Sequence, residues 1–363
     1  MVRCKFLLLS MLCSLFVMQS CVHGSLDDCP PMVRYAVAFD YTNHTGSKDR
    51  FYDDVKKINL YVFDEDGLVY TTVTELSPYE SNFNIPLDIP MGNYNIIAWG
   101  NVLDSAAFEF PRAITKGTSF DDTRLFLQRE IDSLSRMISE EELDKLFYGV
   151  LNNVEIPLYI SRIDTMALVN NTNKVRVVLH WDHSGELKST EEIIDYNEVS
   201  VRLSASNAEY DFRNGFVGVD NVTYMPWAYY PTDSILKVDK NNWLTMYYYS
   251  ESVAKVTNSC VYDFSILRMD VGSPINLIIE RKKTVIPEPY NLLEEQIDAI
   301  QTFTVYFDSK GVLAAQRQNE FDKNEYYRID IYLTYDELMD TYVSGGIKVS
   351  PWKFVGQGEV PMN

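Results

Sequence analysis

Two groups of residues carry types and spacing that could do chemistry. The first is a set of five cysteines, Cys4, Cys13, Cys21, Cys29 and Cys260. The second is the run His180-Trp181-Asp182-His183, which has the composition of a metal site. On a strand His180 and Asp182 share one face and His183 faces away, so three ligands do not converge without a bulge. The run therefore reads as a polar strand end entering Ser184-Gly185. Asp64-Glu65-Asp66 could ligate calcium, but the twelve-residue spacing of a calcium loop is absent, and a solvated turn is expected. Glu140-Glu141-Glu142 reads as a helix start. No nucleophile elbow, phosphate loop or dinucleotide glycine pattern occurs, and the chain holds four histidines for any acid–base network. The expectation is a non-enzyme with no cofactor and no metal.

The cysteines divide by position. Arg3 and Lys5 precede the apolar run Phe6–Met18, which has the length of an export signal and is short for a membrane span of about 20 residues. The run ends at Ser20-Cys21, a small residue followed by cysteine, as in a bacterial lipoprotein signal. Cleavage there removes residues 1–20 with Cys4 and Cys13 and leaves Cys21 to carry lipid. Asp27 and Asp28, just beyond, resemble a surface-export tag. Cys29 and Cys260 remain in an oxidising compartment. Either they pair, closing a long loop worth about 4–5 kcal/mol, or they stay as two buried thiols.

The net charge of −20 becomes −22 once residues 1–20 leave with Arg3 and Lys5 and no acid. Such a body repels phosphate backbones, and there is no basic stripe; nucleic acid is excluded as a partner. The 25 tyrosines, among them Tyr229-Tyr230 and Tyr247-Tyr248-Tyr249, could face a sugar, or form core and solvent faces of strands. Asp104-Ser105-Ala106, Asp132-Ser133-Leu134, Asp164-Thr165-Met166 and Asp233-Ser234-Ile235 resemble a short O-glycosylation motif.

The elements that position these residues alternate with period two. Strands are expected at Val33–Phe39, at Ile58–Phe63 with Leu68–Val73 across an Asp-Gly turn, at Ile85–Ile89 and at Tyr94–Trp99. Further strands fit Val175–Trp181, Val201–Leu203, Tyr210–Phe212 before Asn214-Gly215, Trp243–Ser250, Val261–Met269 and Ile275–Glu280. Phe303–Phe307, Tyr327–Leu333 and Ile347–Trp352 complete the set, with Pro351 favouring an edge. Ser139 and Glu142 have capping-box spacing, predicting a helix to Gly149, which would take the left-handed cap. Thr123–Met137 and Leu292–Ile300 also read as helical. Asn170-Asn171-Thr172-Asn173 reads as a loop. The length fits two antiparallel β-sandwiches: a signal at 1–20, a lipidated linker at 21–31, and domains at 32–158 and 159–363.

In order along the chain, Asp27–Pro31, Val55–Gly67, Pro90–Gly100, Leu146–Gly149, Asn173–Leu179, Phe264–Met269, Asn324–Ile331 and Ile347–Trp352 resemble the FimB-type fimbrial anchor lipoproteins of Bacteroidales. The resemblance implies two tandem transthyretin-like sandwiches on an outer-membrane lipoprotein, lipidated at Cys21. It implies a role in holding the base of a fimbrium (pilus) and ending its elongation. Its expected partners are fimbrial shaft or accessory pilins, bound by β-strand complementation, and the outer membrane, bound through lipid. An anchor tethered by its N-terminus cannot readily release its first strand. Val33–Phe39 is therefore expected to stay in its own sheet, and the segment around Ile347, Val349 and Trp352 to reach the partner. The alternative is a glycan-binding or adhesin lipoprotein of the cell surface.

Overall fold

The computed structural model describes residues 35–46, 48–103, 107–128, 130–131, 137–156, 161–182, 199–217, 221–231, 258–270, 274–285, 294–306, 318, 322–336 and 341–351. The chain is mainly β, in several sheets. The first half contributes β1 (Tyr35–Asp40), one helical turn α1 (Phe51–Asp54), β2 (Lys57–Phe63), β3 (Val69–Leu76), β4 (Asn84–Leu87) and β5 (Gly92–Gly100). Short strands β6 (Phe108–Glu109), β7 (Arg124–Leu127), β8 (Glu130–Ile131) and β9 (Met137–Ser139) follow, then β10 (Phe147–Ile156) and β11 (Arg162–Asn170). The second half holds β12 (Thr172–Asp182), β13 (Val199–Ala205), β14 (Glu209–Asp211), β15 (Val222–Tyr224) and β16 (Ala228–Pro231). It ends with β17 (Asn258–Leu267), β18 (Pro274–Val285), β19 (Glu294–Tyr306), β20 (Tyr326–Asp336) and β21 (Thr341–Pro351).

The first sheet runs β3-β2-β5-β10-β11-β1-β4. It folds over on β11: Arg162–Ala167 pair with β1, and Leu168–Asn170 pair with β10. The two flaps enclose a core in which Tyr35, Val37, Ile58, Leu60, Ile96 and Leu168 are buried. The other face of β2 and β5 is apolar too. Tyr61, Phe63, Ile97 and Trp99 belong to a second cluster with Tyr210, Phe212 and the core of the second half. A strand buried on both faces reads as a continuous apolar run, which is why INLYVF and YNIIAWG look as they do. The second half sets β16-β17-β12-β20-β21 against β19-β18-β13-β15-β9-β8, with a small sheet β14-β7-β6 alongside. Val175, Val177, Tyr262, Phe264, Ile329 and Leu277 fill the space between them.

Several expectations are corrected. The residues after Ser139 form no helix: Leu143 and Leu146 are buried in the shared core, and burial overrides the capping-box signal. Gly149 caps nothing. It lies within β10, where a Cβ would stand 2.7 Å from Leu168 and Met166, so glycine permits a close approach. Thr123–Met137 contains strands β7 and β8 instead of a helix. Leu292–Ile300 is strand from Glu294 onward. A bulge at Asp298 puts Ile297 and Ile300 opposite Lys282 and Glu280, so a spacing of three fits a strand here.

The expected boundary at 158 falls inside the first sheet, because β11 pairs with both β1 and β10. The chain changes sheet at Asn170–Thr172. That stretch is buried, not an exposed loop: the Asn170 carboxamide bonds the Thr172 N–H and C=O, and Asn173 Nδ2 donates to the Asn324 carbonyl. The sheets are mixed, since β1 pairs with β11, β12 with β20 and β15 with β9 in parallel. Alternation reports which face is buried and carries nothing about neighbour direction. The strand expected at Trp243–Ser250 lies outside the described residues.

Candidate interaction edge and the junction behind it

The residues expected to meet a partner lie at the edge of the five-stranded sheet. Ile347 pairs with Ile331 and Val349 with Ile329 along the antiparallel β20–β21 ladder. The register shifts between Tyr332 and Leu333, where the Gly345-Gly346 pair supplies the extra residue. β21 ends the strand order, so among the described residues its outer backbone groups face no further strand. Trp352 lies outside the described residues, as do Cys21 and Cys29. Cys260 is buried on β17.

β1 is placed in the opposite way. It lies between β11 and β4 and bonds to both. Tyr35 is fully buried, and its hydroxyl donates to Asp164 Oδ2 at 2.9 Å. Burial and then Asp164 push its phenol well above the ordinary range. The expectation that the first strand stays in its own sheet matches this position.

A charged junction ties the two ends together. Tyr41, just past β1, donates its hydroxyl to Glu325, just ahead of β20. Lys145 Nζ reaches Glu325 at 2.8 Å and Asp54 at 3.0 Å, and Arg50 reaches Asp54 at 2.8 Å. Burial raises the Glu325 carboxyl, but Lys145, Tyr41 and Arg50 together outweigh it and hold the group below its ordinary range. The N–H of Lys174 on β12 also donates to the Glu325 carbonyl. The start of β20 is thus fixed to the first half of the chain. Sequence reasoning missed this junction, because its members are 284 residues apart at the extreme.

On the outer face of the same sheet Arg176 and Asp263 form a fully buried bidentate pair, at 2.7 and 3.0 Å. His180 uses one ring nitrogen on Ser259 (3.0 Å) and the other on Asp330 (2.8 Å), which Arg328 also grips. Burial raises Asp330, yet the His180 and Arg328 bonds pull it down to about 2. His180 therefore serves the sheet, and His183 lies outside the described residues. Asp64 accepts from the N–H groups of Asp66 and Leu68 and holds its turn. Tyr229 is exposed and stacks on Tyr262, while Tyr247–Tyr249 lie outside the described residues. Of the four glycosylation-like tripeptides, Asp164-Thr165-Met166 lies on β11 and the others are outside the described residues. No described helix is long and apolar enough to cross a membrane.

Comparison with solved structures finds this architecture in other bacterial proteins. A candidate polysaccharide-binding protein from Bacteroides thetaiotaomicron superposes with a TM-score of 0.62 at 19% identity, over 88% of this chain and 96% of that one. A candidate adhesin from Bacteroides ovatus gives 0.61 at 14% identity, over 90% and 96%. The fimbrial anchor protein Mfa2 from Porphyromonas gingivalis gives 0.57 at 17% identity, over 89% and 98%. Identities this low speak to the fold alone. No curated protein matches the chain. The sequence model of the fimbrillin-A associated anchor proteins Mfa1 and Mfa2 matches residues 26–358. This chain therefore belongs to that family of fimbrial anchor proteins and is a fimbria-associated protein of the cell surface.

Proposed function

We propose that this protein holds the base of a fimbrium at the outer membrane and ends its growth, tethered by lipid on Cys21. The observation that carries the reading is the asymmetry of its strand edges. β1, nearest the tether, is bonded on both sides, whereas among the described residues β21 ends its sheet. An open edge can accept a pilin strand by β-augmentation. The reading refines the role of Ile347 and Val349. They are already paired to β20, so β21 receives a strand and is not itself given away. The load path supports the same role. Tension from the N-terminus enters β1, crosses the Tyr41–Glu325 and Lys145–Glu325 contacts, and reaches β20 directly beneath β21.

Proline scanning of β21 tests the edge. N–H groups of an edge strand alternate inward and outward, so of Lys348→Pro and Val349→Pro one removes an outward donor and the other breaks the β20 ladder. The outward variant is expected to keep its thermal stability and lose co-purification with pilins from outer membranes. Capture that survives both substitutions in folded protein would rule out β21 as the contact. Cys21→Ala is expected to release the protein, and its fimbriae, into the medium.

A further inference from the structure

A pocket of about 480 Å³ opens on the face of the first sheet that is turned away from its own core. Its volume lies within the ~300–1,000 Å³ usual for small-molecule sites. Period two builds the wall: Asn95 and Ile97 share a face of β5, and Tyr148 and Val150 share the facing side of β10, with Val150 opposite Ile97. Val150 and Phe120, both part-exposed, form the apolar floor, backed by fully buried Phe63 from β2 and Phe212 from the turn after β14. The pocket is therefore assembled by both halves of the chain.

The rim is polar and fixed. A bulge in β10 sets Asn152 and Asn153 against the single residue Asn95. Asn153 takes a positive φ of 51°, and its N–H donates to Asn95 Oδ1 at 3.0 Å. The bulge thereby holds Asn95 in the wall and brings Asn152 to the mouth. Across the opening, Asp66 sits in the turn that Asp64 holds, and the Gly67 carbonyl accepts from the Phe120 N–H at 2.8 Å. Arg213 lies 4.5 Å over the Phe120 ring and pairs with Asp121 at 2.9 Å. Among the described residues the lining carries two carboxylates and one cation, and that cation is already paired with Asp121. An anion finds no compensation here. Two carboxylates and two carboxamides over an apolar floor match neighbouring hydroxyls above the C–H face of a sugar ring. A purely apolar occupant would leave these polar groups unpaired.

We propose that this pocket binds a neutral saccharide of one or two pyranose rings. The site is separate from β21 and does not depend on the anchoring role. The test is calorimetric titration of the full-length protein in detergent with maltose, cellobiose, lactose and diacetylchitobiose, with glucuronate and inorganic phosphate as anionic probes. At least one neutral disaccharide is expected to bind with a Kd on the order of 1 mM or tighter. Asn152→Ala and Asp66→Ala are each expected to weaken it about tenfold. Both side chains are exposed, so the unfolding midpoint and pilin capture are expected to hold. The proposal is overturned if none of the four sugars binds at concentrations on the order of 10 mM. It is also overturned if both variants bind as the parent does, or if an anionic probe binds more tightly than every sugar.

Discussion

At the scale of single residues, the strongest demands come from groups with no room or no water. Arg176 and Asp263 are both fully buried and joined by two bonds, from Nε and Nη2. Removing one partner strands a charge, which typically costs about 3–5 kcal/mol. Asp263→Ala is expected to destabilise by that amount in urea unfolding, while Arg176→Met with Asp263→Leu recovers most of the loss. A single variant as stable as the parent would show that the pair contributes nothing. Gly149 makes a steric demand of a similar kind. A methyl group there meets Leu168 and Met166 at 2.7 Å, inside contact distance. Overpacking of this type costs about 1–3 kcal/mol, and Gly149→Ala should show it as a lowered midpoint with an unchanged denaturant slope.

At the scale of elements, the pairing of β12, β17 and β20 makes part of the stability depend on acid. Asp330 ionises near 2 in the folded chain, below its ordinary 3.8, despite the burial that opposes this. Folded protein therefore binds this proton less readily than unfolded protein. The stabilisation is complete above the ordinary carboxylate range and is lost as pH falls from about 4 toward 2. His180→Ala removes one of the bonds that hold the pKa down. Its acid-unfolding midpoint is expected at a higher pH than the parent's, and an unchanged midpoint would remove His180 from the account. These strands were legible in the sequence. The alternation of Val175, Val177 and Leu179, and of Tyr327, Ile329 and Ile331, names the buried face correctly. Neighbour identity was not legible, because the parallel pairing of β12 with β20 joins residues about 150 positions apart. The three helices expected at 123–137, 139–149 and 292–300 failed for a related reason. Local capping and spacing signals are worth about a kilocalorie, and buried Leu143, Leu146 and the β18 ladder outweigh them. Of the candidate sites, the edge strand was legible through Pro351. The pocket was not, since Asn95, Asn152, Asp66 and Arg213 converge only once the sheet is formed.

At the scale of the whole molecule, the two halves share a core and a charged junction, and an anchor under tension requires both. Trp99 and Tyr148 of the first half pack against Tyr210 and Phe212 of the second. Glu325 joins them at the far side through Tyr41, Lys145 and Arg50. Two halves coupled this way should melt together, giving one calorimetric transition whose enthalpy equals the van't Hoff value. Glu325→Ala leaves Lys145 and Arg50 facing only Asp54, and truncating the buried member of such a part-exposed charged network costs about 1.5–3 kcal/mol. The expected result is a lower midpoint and, as the junction loosens, a transition that broadens or splits. Because Glu325 is held below its ordinary range, its contribution is present at neutral pH and fades as pH falls through the carboxylate range. The gap between parent and variant should therefore narrow in acid. A gap that does not change with pH would show that the halves are held by the apolar core alone, and two separate transitions in the parent would show that neither core nor junction couples them. The junction would then carry no part of the load between tether and edge strand.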